Sequence, residues 1–176
     1  MAAKRGLVLV YTGHGKGKTT AALGLALRAW GQGLRVLIFQ FLKGRWETGE
    51  LKAAEKMEGF EIRPLGEGFV RLGDEAALPR HRTAAQKAFA EAWSAVTGGN
   101  YDMIILDEIF YAVKFGFITT EDVLNLLAKK PPEVHLVLTG RDVPAAVVDR
   151  ADLVTEMREI KHPYAQGIKA QKGIEY

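Results

Sequence analysis

The chain has 176 residues, 48% of them hydrophobic and 26% charged, which is the composition of one soluble globular domain covering residues 1–176. It has no cysteine and no apolar run approaching the about 20 residues of a membrane span. Disulfides, thiolate nucleophiles and cysteine-ligated metals are therefore excluded, and a cytoplasmic protein without a membrane partner is expected. The net charge is +3, but its Lys and Arg residues are scattered, so no nucleic-acid partner is expected.

Six short apolar segments predict β-strands. Four of them are apolar without alternation, which is typical of strands buried on both faces of a sheet. They are residues 7–11, 36–41, 103–106 and 134–138. Residues 60–65 are a weaker candidate because Pro64 interrupts them, and residues 153–157 predict a sixth strand at an edge. Helical segments lie between the strands, and this alternation predicts an α/β fold with a mostly parallel sheet.

Two helices are predicted before residue 100. Residues 19–30 are apolar almost all round, so this helix is expected to be central and little exposed. Gly31 and Gly33 are expected to end it. Residues 80–96 predict a long amphipathic helix that ends at Gly98.

A third helix is predicted from a cap at Thr119 or Thr120 to Lys129. Two long segments, residues 43–49 and 66–79, carry no regular pattern. Long loops on an α/β scaffold usually carry function, so both are expected to line the site.

The stretch YTGHGKGKTT follows the first predicted strand and opens the first predicted helix. This is the context of a phosphate-binding P-loop, whose usual pattern is G-x-x-x-x-G-K-[ST]. Here the pattern is one residue short, because the first glycine would fall at Thr12 and stands instead at Gly13. Loop N–H groups and a helix N-terminus bind phosphate oxygens. The candidate nucleotide-binding residues are Gly13, His14, Gly15, Lys16, Gly17, Lys18, Thr19 and Thr20.

Side chains of the loop and of a second motif predict a nucleotide with Mg²⁺. Lys18 supplies a charge to the phosphates, Lys16 adds a second cation, and the Thr19 hydroxyl is placed to bind Mg²⁺. The segment MIILDEI supplies Asp107 and Glu108 at the end of a buried strand, where a carboxylate completes the Mg²⁺ coordination. The prediction is a P-loop NTPase-like, RecA-like three-layer fold. A glycine-rich turn without a ligand, and a carboxylate that only caps a helix, are the structural alternatives.

A dinucleotide fingerprint, G-x-G-x-x-G, is the competing glycine motif. Gly13 and Gly15 match it, but Lys18 stands in place of the third glycine. The acidic residue expected about 20 residues further on is also missing. NAD binding is therefore disfavoured.

Motifs along nearly the whole chain resemble those of the P-loop-type ATP:corrinoid adenosyltransferases. They comprise TGHGKGKTTAA, FQFLKGRWETGE, GEGF, LDEI, LTGR and EIKHPYAQGIKAQKGIEY. The resemblance implies transfer of the 5′-deoxyadenosyl group of ATP to the cobalt(I) of a reduced corrinoid, cobalamin or cobyrinic acid a,c-diamide, with triphosphate released whole. It also implies that ATP lies reversed in the P-loop compared with ordinary P-loop hydrolases. A loop one residue shorter gives a physical reason why the usual phosphate register would not fit.

The resemblance further implies aromatic side chains that remove the lower axial ligand of cobalt(II), so that the metal can be reduced. Phe69 matches the first of these aromatics. Arg71 stands where the family pattern has a second, Trp, and Trp46 is a candidate replacement. The alternative for Phe69 is a loop aromatic that plugs the core.

Three further residues complete the candidate site. Arg141, in LTGR, is predicted to be an additional cation near the nucleotide and, with Lys18 and Phe69, a catalytic residue; its alternative is a surface arginine at a strand end. Arg28 matches a family arginine on the first helix and is predicted to contact the triphosphate or a carboxylate. His14 stands where the family often has Asn, and either binds phosphate or ribose or faces solvent.

The last motif is predicted to pack near the site or across a dimer, with His162 in a structural role. The resemblance implies a homodimer and a flavoprotein-type reductant as electron donor. Two other functions stay open. One is a RecA-like P-loop ATPase coupled to a nucleic-acid or protein partner, which the scattered charges disfavour. The other is a nucleotide or corrinoid carrier without turnover.

Overall fold

The computed structural model describes residues 5–44, 47–70 and 74–175. In these residues, six parallel strands form one sheet with helices on both faces. The strands are β1 (Val8–Thr12), β2 (Val36–Gln40), β3 (Phe60–Pro64), β4 (Met103–Asp107), β5 (His135–Thr139) and β6 (Leu153–Glu156). The α-helices are α1 (Lys18–Gly31), α2 (Gly49–Ala54), α3 (Leu78–Thr97), α4 (Ile109–Lys114), α5 (Thr120–Lys129) and α6 (Ala145–Val148). Short 3₁₀ helices cover Glu75–Ala77 and Pro163–Gln166.

The strand order is β3-β2-β4-β5-β1-β6. β1 lies between β5 and β6, with Val10 opposite Leu138 and Val154. β2 pairs with β4, so that Gln40 and Asp107 end their strands side by side. Ligands of open α/β sheets bind beyond the carboxyl ends of the strands. The topology therefore brings the loops after β1, β2 and β4 to one edge of the sheet.

The two faces of the sheet build two hydrophobic cores. Leu37 and Phe39 of β2 pack in the core that contains α3, α4 and α5, while Val36 and Ile38 pack in the core that contains α1. Each of these four side chains is at most 1% exposed. Burial on both faces explains why the strands read as unbroken apolar runs.

The helix α1 departs from its prediction. It packs on the sheet through one face only, which carries small side chains, and Leu27 on the outer face is 55% exposed. The small buried residues are Ala22, Ala26 and Ala29. The expectation of a little-exposed helix was wrong, because the sheet covers one side of it.

The predicted strands are confirmed to within one residue at each end. Pro64 is the last residue of β3, which is an edge strand, so the missing N–H interrupts no central pairing. The Thr119 cap is confirmed as a capping box with Asp122, and α5 ends at Lys129 as predicted. The helix α3 begins two residues early, at Leu78.

The segments expected to be irregular are partly helical. α2 begins at Gly49, and Glu75–Ala77 leads into α3. These pieces, like α4 and α6, are six residues or shorter. A helix of one or two turns is too short to show a hydrophobic period. No helix in the described part of the chain is long and apolar enough to cross a membrane.

Candidate active site

The turn between β1 and α1 has the backbone geometry that its glycines permit. Gly13 and Gly17 have φ values of +96° and +116°, which side-chain-bearing residues rarely adopt. Gly15 is required for space, since a Cβ there would lie 2.7 Å from the carbonyl carbon of Arg158. The loop ends at Lys18, where α1 begins and its free N–H groups stand.

Lys18 is buried and folds back over this loop. Its Nζ donates to the carbonyl oxygens of Gly13 at 2.8 Å and Gly15 at 2.9 Å. Burial lowers the pKa of Lys18; the charge of Glu108 opposes this shift and that of Arg141 adds to it. Lys18 thus both fixes the loop and lines the cavity beside it.

Asp107, the last residue of β4, accepts hydrogen bonds from two hydroxyl groups. Thr19 donates to its Oδ1 at 2.9 Å and Thr139 donates to the same atom at 2.7 Å. The carboxylate is 2% exposed. Burial raises the pKa of Asp107, and the hydrogen bonds from Thr139 and Thr19 oppose that shift. The first helix and the strands β4 and β5 are joined at this atom.

Glu108 turns the chain from β4 into α4. Its φ of 59° is in the left-handed region, which is uncommon for a residue other than glycine. Its N–H donates to Oγ1 of Thr139 at 2.8 Å, which holds the turn. Burial, followed by the charge of Asp107, raises the pKa of Glu108. The strained turn places this carboxylate at the wall of the cavity.

The oxygen atoms of Thr19, Asp107 and Glu108 fit Mg²⁺. Mg²⁺ prefers oxygen ligands and is usually bound by one or two carboxylates together with waters and substrate phosphates. Among the described residues, no three or more His, Cys, Asp or Glu side chains are grouped so that they could hold a metal ion by themselves. The donor set therefore suits a metal that arrives with a nucleotide.

The loop opens into a cavity of about 590 Å³, within the usual range of small-molecule sites. Its loop wall consists of Lys16, Gly17, Lys18, Thr19 and Thr20. The other walls consist of Leu23, Lys43, Gly49, Glu50, Phe69, Glu108, His162, Gly173, Ile174 and Glu175.

Phe69 faces this cavity rather than the core. It is 64% exposed, and its ring meets the Tyr111 ring edge-on at a centroid distance of 6.1 Å. The Tyr111 hydroxyl accepts the N–H of Val70 at 2.6 Å, which anchors the loop. The alternative in which Phe69 plugs the core is wrong. Trp46 and Arg71 lie outside the described residues.

A half-buried ion pair that the sequence left without a role lines the same cavity. Nζ of Lys43 donates to Oε1 of Glu50, and Nε2 of Gln40 approaches the same oxygen at 3.5 Å. Burial raises the pKa of Glu50, but the hydrogen bond from Lys43 and further contacts outweigh it, so the pKa lies below its ordinary value. Gln40 is 1% exposed, and its Oε1 has no hydrogen-bond partner among the described residues. Gln40 is the last residue of the buried strand β2 and Lys43 follows it. Polar residues at the carboxyl end of a buried strand are a sequence signal for residues that line a site.

His14 and Arg141 are both exposed. His14 Nε2 lies 3.1 Å from Oδ1 of Asp142, whose Oδ2 accepts a hydrogen bond from Lys114 at 2.8 Å. Arg141 does not line the cavity. Burial has the largest effect on the pKa values of Lys18 and Glu108, and the positive charge of Arg141 has a smaller one, which lowers both. The structure thus brings Arg141 into the electrostatic surroundings of the site and turns His14 toward the loop after β5.

Arg28 lies apart from the other candidate residues. It is exposed in the last turn of α1, about 15 Å along the helix axis from Lys18. It is not among the residues that line the cavity. The predicted contact of Arg28 with the triphosphate or a carboxylate stays a prediction.

The tail segment, residues 157–175, packs on the loop. This agrees with the first of the two placements predicted for the last motif, near the site or across a dimer. The carbonyl oxygen of Met157 accepts the N–H of Gly15 at 2.8 Å. His162 lines the cavity, and its Nδ1 accepts the N–H of Tyr164 at 3.1 Å. Glu175, which the sequence did not single out, reaches the loop from the far end of this segment.

Sheet order, phosphate loop and adjacent carboxylates together define a RecA-like P-loop nucleotide-binding fold. A solved structure of similar fold is that of the KaiC-like protein PH0186 from Pyrococcus horikoshii OT3, with a TM-score of 0.54 and 16% sequence identity. The match covers 89% of this chain and 75% of that one.

The sequence profile described as "ATP:corrinoid adenosyltransferase BtuR/CobO/CobP" matches residues 4–176. The corrinoid adenosyltransferase of Escherichia coli strain K12 is 36% identical over 173 residues, covering 98% of this chain and 87% of the relative. A corrinoid adenosyltransferase of a Sinorhizobium species is 39% identical over 98% of this chain and 81% of its own length. The corrinoid adenosyltransferase CobA of Salmonella typhimurium is 37% identical, with shares of 98% and 87%. The chain belongs to the ATP:corrinoid adenosyltransferase family, which favours the first functional hypothesis over the ATPase alternative.

Proposed function

We propose that this protein transfers the 5′-deoxyadenosyl group of ATP to the cobalt(I) of a reduced corrinoid and releases triphosphate. The observation that carries the proposal is a single cavity lined on one side by polar, cationic groups and on another by an exposed aromatic ring. A phosphate loop with Lys18 and Thr19 stands on one side, and the exposed ring of Phe69 stands on another. A cavity of this kind suits a polyanion beside a large flat apolar ligand.

In the proposed reaction, the electron pair of cobalt(I) forms a bond to C5′ of the ribose. The bond from C5′ to the phosphate oxygen breaks, and triphosphate leaves with the electron pair of this broken bond. The cobalt becomes formally cobalt(III). Cobalt(I) is a strong nucleophile, so the protein contributes orientation and charge stabilisation rather than proton transfer.

The residues of the loop stabilise the leaving group. Backbone N–H groups at the start of α1, with Lys16 and Lys18, face the oxygen atoms of the triphosphate. Thr19, Asp107 and Glu108 would hold Mg²⁺, which when bound would supply positive charge to the same phosphates. Arg141 adds a longer-range positive charge.

Phe69 takes part before the transfer step. Its exposed ring packs against the lower face of the corrin ring and favours cobalt(II) without a lower axial ligand, which is easier to reduce. A flavoprotein-type reductant supplies the electron. A homodimer in the cytoplasm is part of the same proposal and rests on the family.

The reaction itself is the test. The protein is incubated with ATP, Mg²⁺ and chemically reduced corrinoid, and the products are separated. Adenosylcorrinoid and triphosphate in equal amounts are expected. ADP and phosphate without a cobalt–carbon product would contradict the proposal and favour an ATPase. Tight corrinoid binding without any product would favour a carrier.

A further inference from the structure

The tail segment is packed against the phosphate loop where it leaves β6. A Cβ at Gly13 would lie 2.4 Å from the carbonyl oxygen of Met157, and one at Gly15 would lie 2.8 Å from the same atom. That carbonyl accepts the N–H of Gly15. Two glycines of the loop therefore make room for the tail segment, and its position relative to the loop is set by backbone contacts.

The far end of the tail segment returns to the loop at Lys16. Nζ of Lys16 donates to Oε1 of Glu175 at 2.6 Å and to the carbonyl oxygen of Ile174 at 3.4 Å. Oε2 of Glu175 accepts the N–H of Gln171 at 2.7 Å, so the carboxylate is oriented from both sides. The hydrogen bond from Lys16, followed by that from Gln171, lowers the pKa of Glu175 below its ordinary 4.5. Glu175 is therefore an anion at neutral pH.

This ion pair stands in the wall of the nucleotide cavity. The side chain of Lys16 is 40% exposed and that of Glu175 is 25% exposed, and both line the cavity with Lys18 and Thr19. A carboxylate and a phosphate present the same kind of anionic oxygen to an ammonium group, and two anions at one place repel each other. A triphosphate on the loop must displace Glu175 or bind beside it with lower affinity.

We propose that Glu175 is a tethered competitor of the triphosphate at Lys16. The proposal rests on the proposed function, in which triphosphate leaves whole and keeps the phosphate contacts of the substrate. Release of such a product limits the turnover of many enzymes. A group on the same chain acts at an effective concentration on the order of millimolar. Glu175 rebinds Lys16 when a phosphate oxygen dissociates, and thereby speeds release.

Calorimetric binding of inorganic triphosphate to the full chain tests this competition. Glu175→Gln is expected to tighten binding about two- to fivefold, the scale of one exposed ion pair. Glu159→Gln removes an exposed carboxylate of the same segment, and this control is expected to bind like the unaltered protein. In a Lys16→Gln background, Glu175→Gln is expected to have no further effect.

Amide exchange followed by NMR gives a second measurement. Triphosphate is expected to speed the exchange of the Gln171 N–H, because the carboxylate that accepts it moves away. In Glu175→Ala this exchange is expected to be fast already and insensitive to triphosphate. Unchanged or weaker affinity in Glu175→Gln, or an equal gain in Glu159→Gln or in the Lys16→Gln background, would overturn the proposal. No corrinoid is present, so a failure of adenosyl transfer with this competition intact counts only against the proposed function.

Discussion

The hydroxyl of Thr139 donates to Oδ1 of Asp107 at 2.7 Å while it accepts the N–H of Glu108 at 2.8 Å. One buried hydroxyl at the end of β5 thus orients both acidic residues at the end of β4. The two carboxylates are expected to depend on Thr139 although this residue does not line the cavity.

Thr139→Val is expected to weaken both stability and catalysis. It leaves the Glu108 N–H without its acceptor and Asp107 with one donor fewer, at a cost of about 1–3 kcal/mol in unfolding free energy. Thr139→Ser keeps the hydroxyl and is the matched control. Urea unfolding and the adenosyl transfer assay measure the two effects. Wild-type values for the valine variant would show that the hydroxyl orients neither carboxylate.

Lys18→Ala is expected to abolish ATP binding and turnover. The variant removes the ammonium that holds the carbonyl groups of Gly13 and Gly15. The same ammonium is proposed to contact the phosphates. Lys56→Ala, at an exposed lysine elsewhere, is the control for net charge. Equilibrium binding of ATP followed by the transfer assay gives the comparison. Normal turnover of the Lys18 variant would mean that the loop is not the site.

Two glycine variants are expected to change stability in opposite directions. Gly15→Ala places a methyl group 2.7–2.9 Å from backbone atoms of residues 157–159, so the tail segment must move away from the loop. Gly24→Ala, inside α1 with nothing within 4 Å, is expected to stabilise the protein by about 0.5–1 kcal/mol. Thermal unfolding and triphosphate binding distinguish them. A Gly15 variant with unaltered triphosphate affinity would contradict the coupling between tail segment and loop.

Phe69→Ala is expected to spare reaction with pre-reduced cobalt(I) and to impair reaction that starts from cobalt(II). The proposed contact of its ring acts on the axial ligand and not on the transfer step. Tyr164→Ala removes another exposed aromatic side chain, at a residue that does not line the cavity, and is the control. Initial rates are measured in parallel from both oxidation states. Equal losses in the two assays would remove Phe69 from this role.

Glu61→Gln, far from the cavity, is expected to change the pH dependence of stability. The hydrogen bond from Arg63 lowers the pKa of Glu61; burial opposes this, and Tyr101 adds to it. A carboxylate with a lowered pKa stabilises the fold above its ordinary pKa of 4.5, and this contribution is lost as the pH falls through the folded value. Since the side chain is 44% exposed, the loss at neutral pH is expected to be about 0.5 kcal/mol. Urea unfolding at several pH values checks this, and an undiminished difference at a pH where Glu61 is protonated in the folded protein would contradict it.

The strands and the phosphate loop could be predicted because their signals are local. A strand buried on both faces must be an apolar run, and Lys18 and Thr19 follow their glycines in sequence. The cap at Thr119 predicted α5 for the same reason. The helix α1 was expected to be more buried than it is, because composition does not say how many of its faces the sheet covers.

The part of the candidate site that was not predicted is a contact between residues far apart in sequence. Lys16 and Glu175, whose contact was not predicted, are 159 residues apart. No window of sequence contains such a pair. Thr139 had a usable signal, because it is a polar residue at the carboxyl end of a buried strand.

The position of β1 between β5 and β6 has a consequence for synthesis of the chain. Val10 pairs with Leu138 and Val154. The strand before the phosphate loop therefore cannot pair until strands more than 120 residues further along the chain have been synthesised. At about 5–20 residues per second, that interval on a ribosome is on the order of ten seconds. During it β1 is an apolar segment without a sheet to join, and the nascent chain is expected to need protection from aggregation. The ability to bind ATP would then mark the moment at which the chain has been completed through β6.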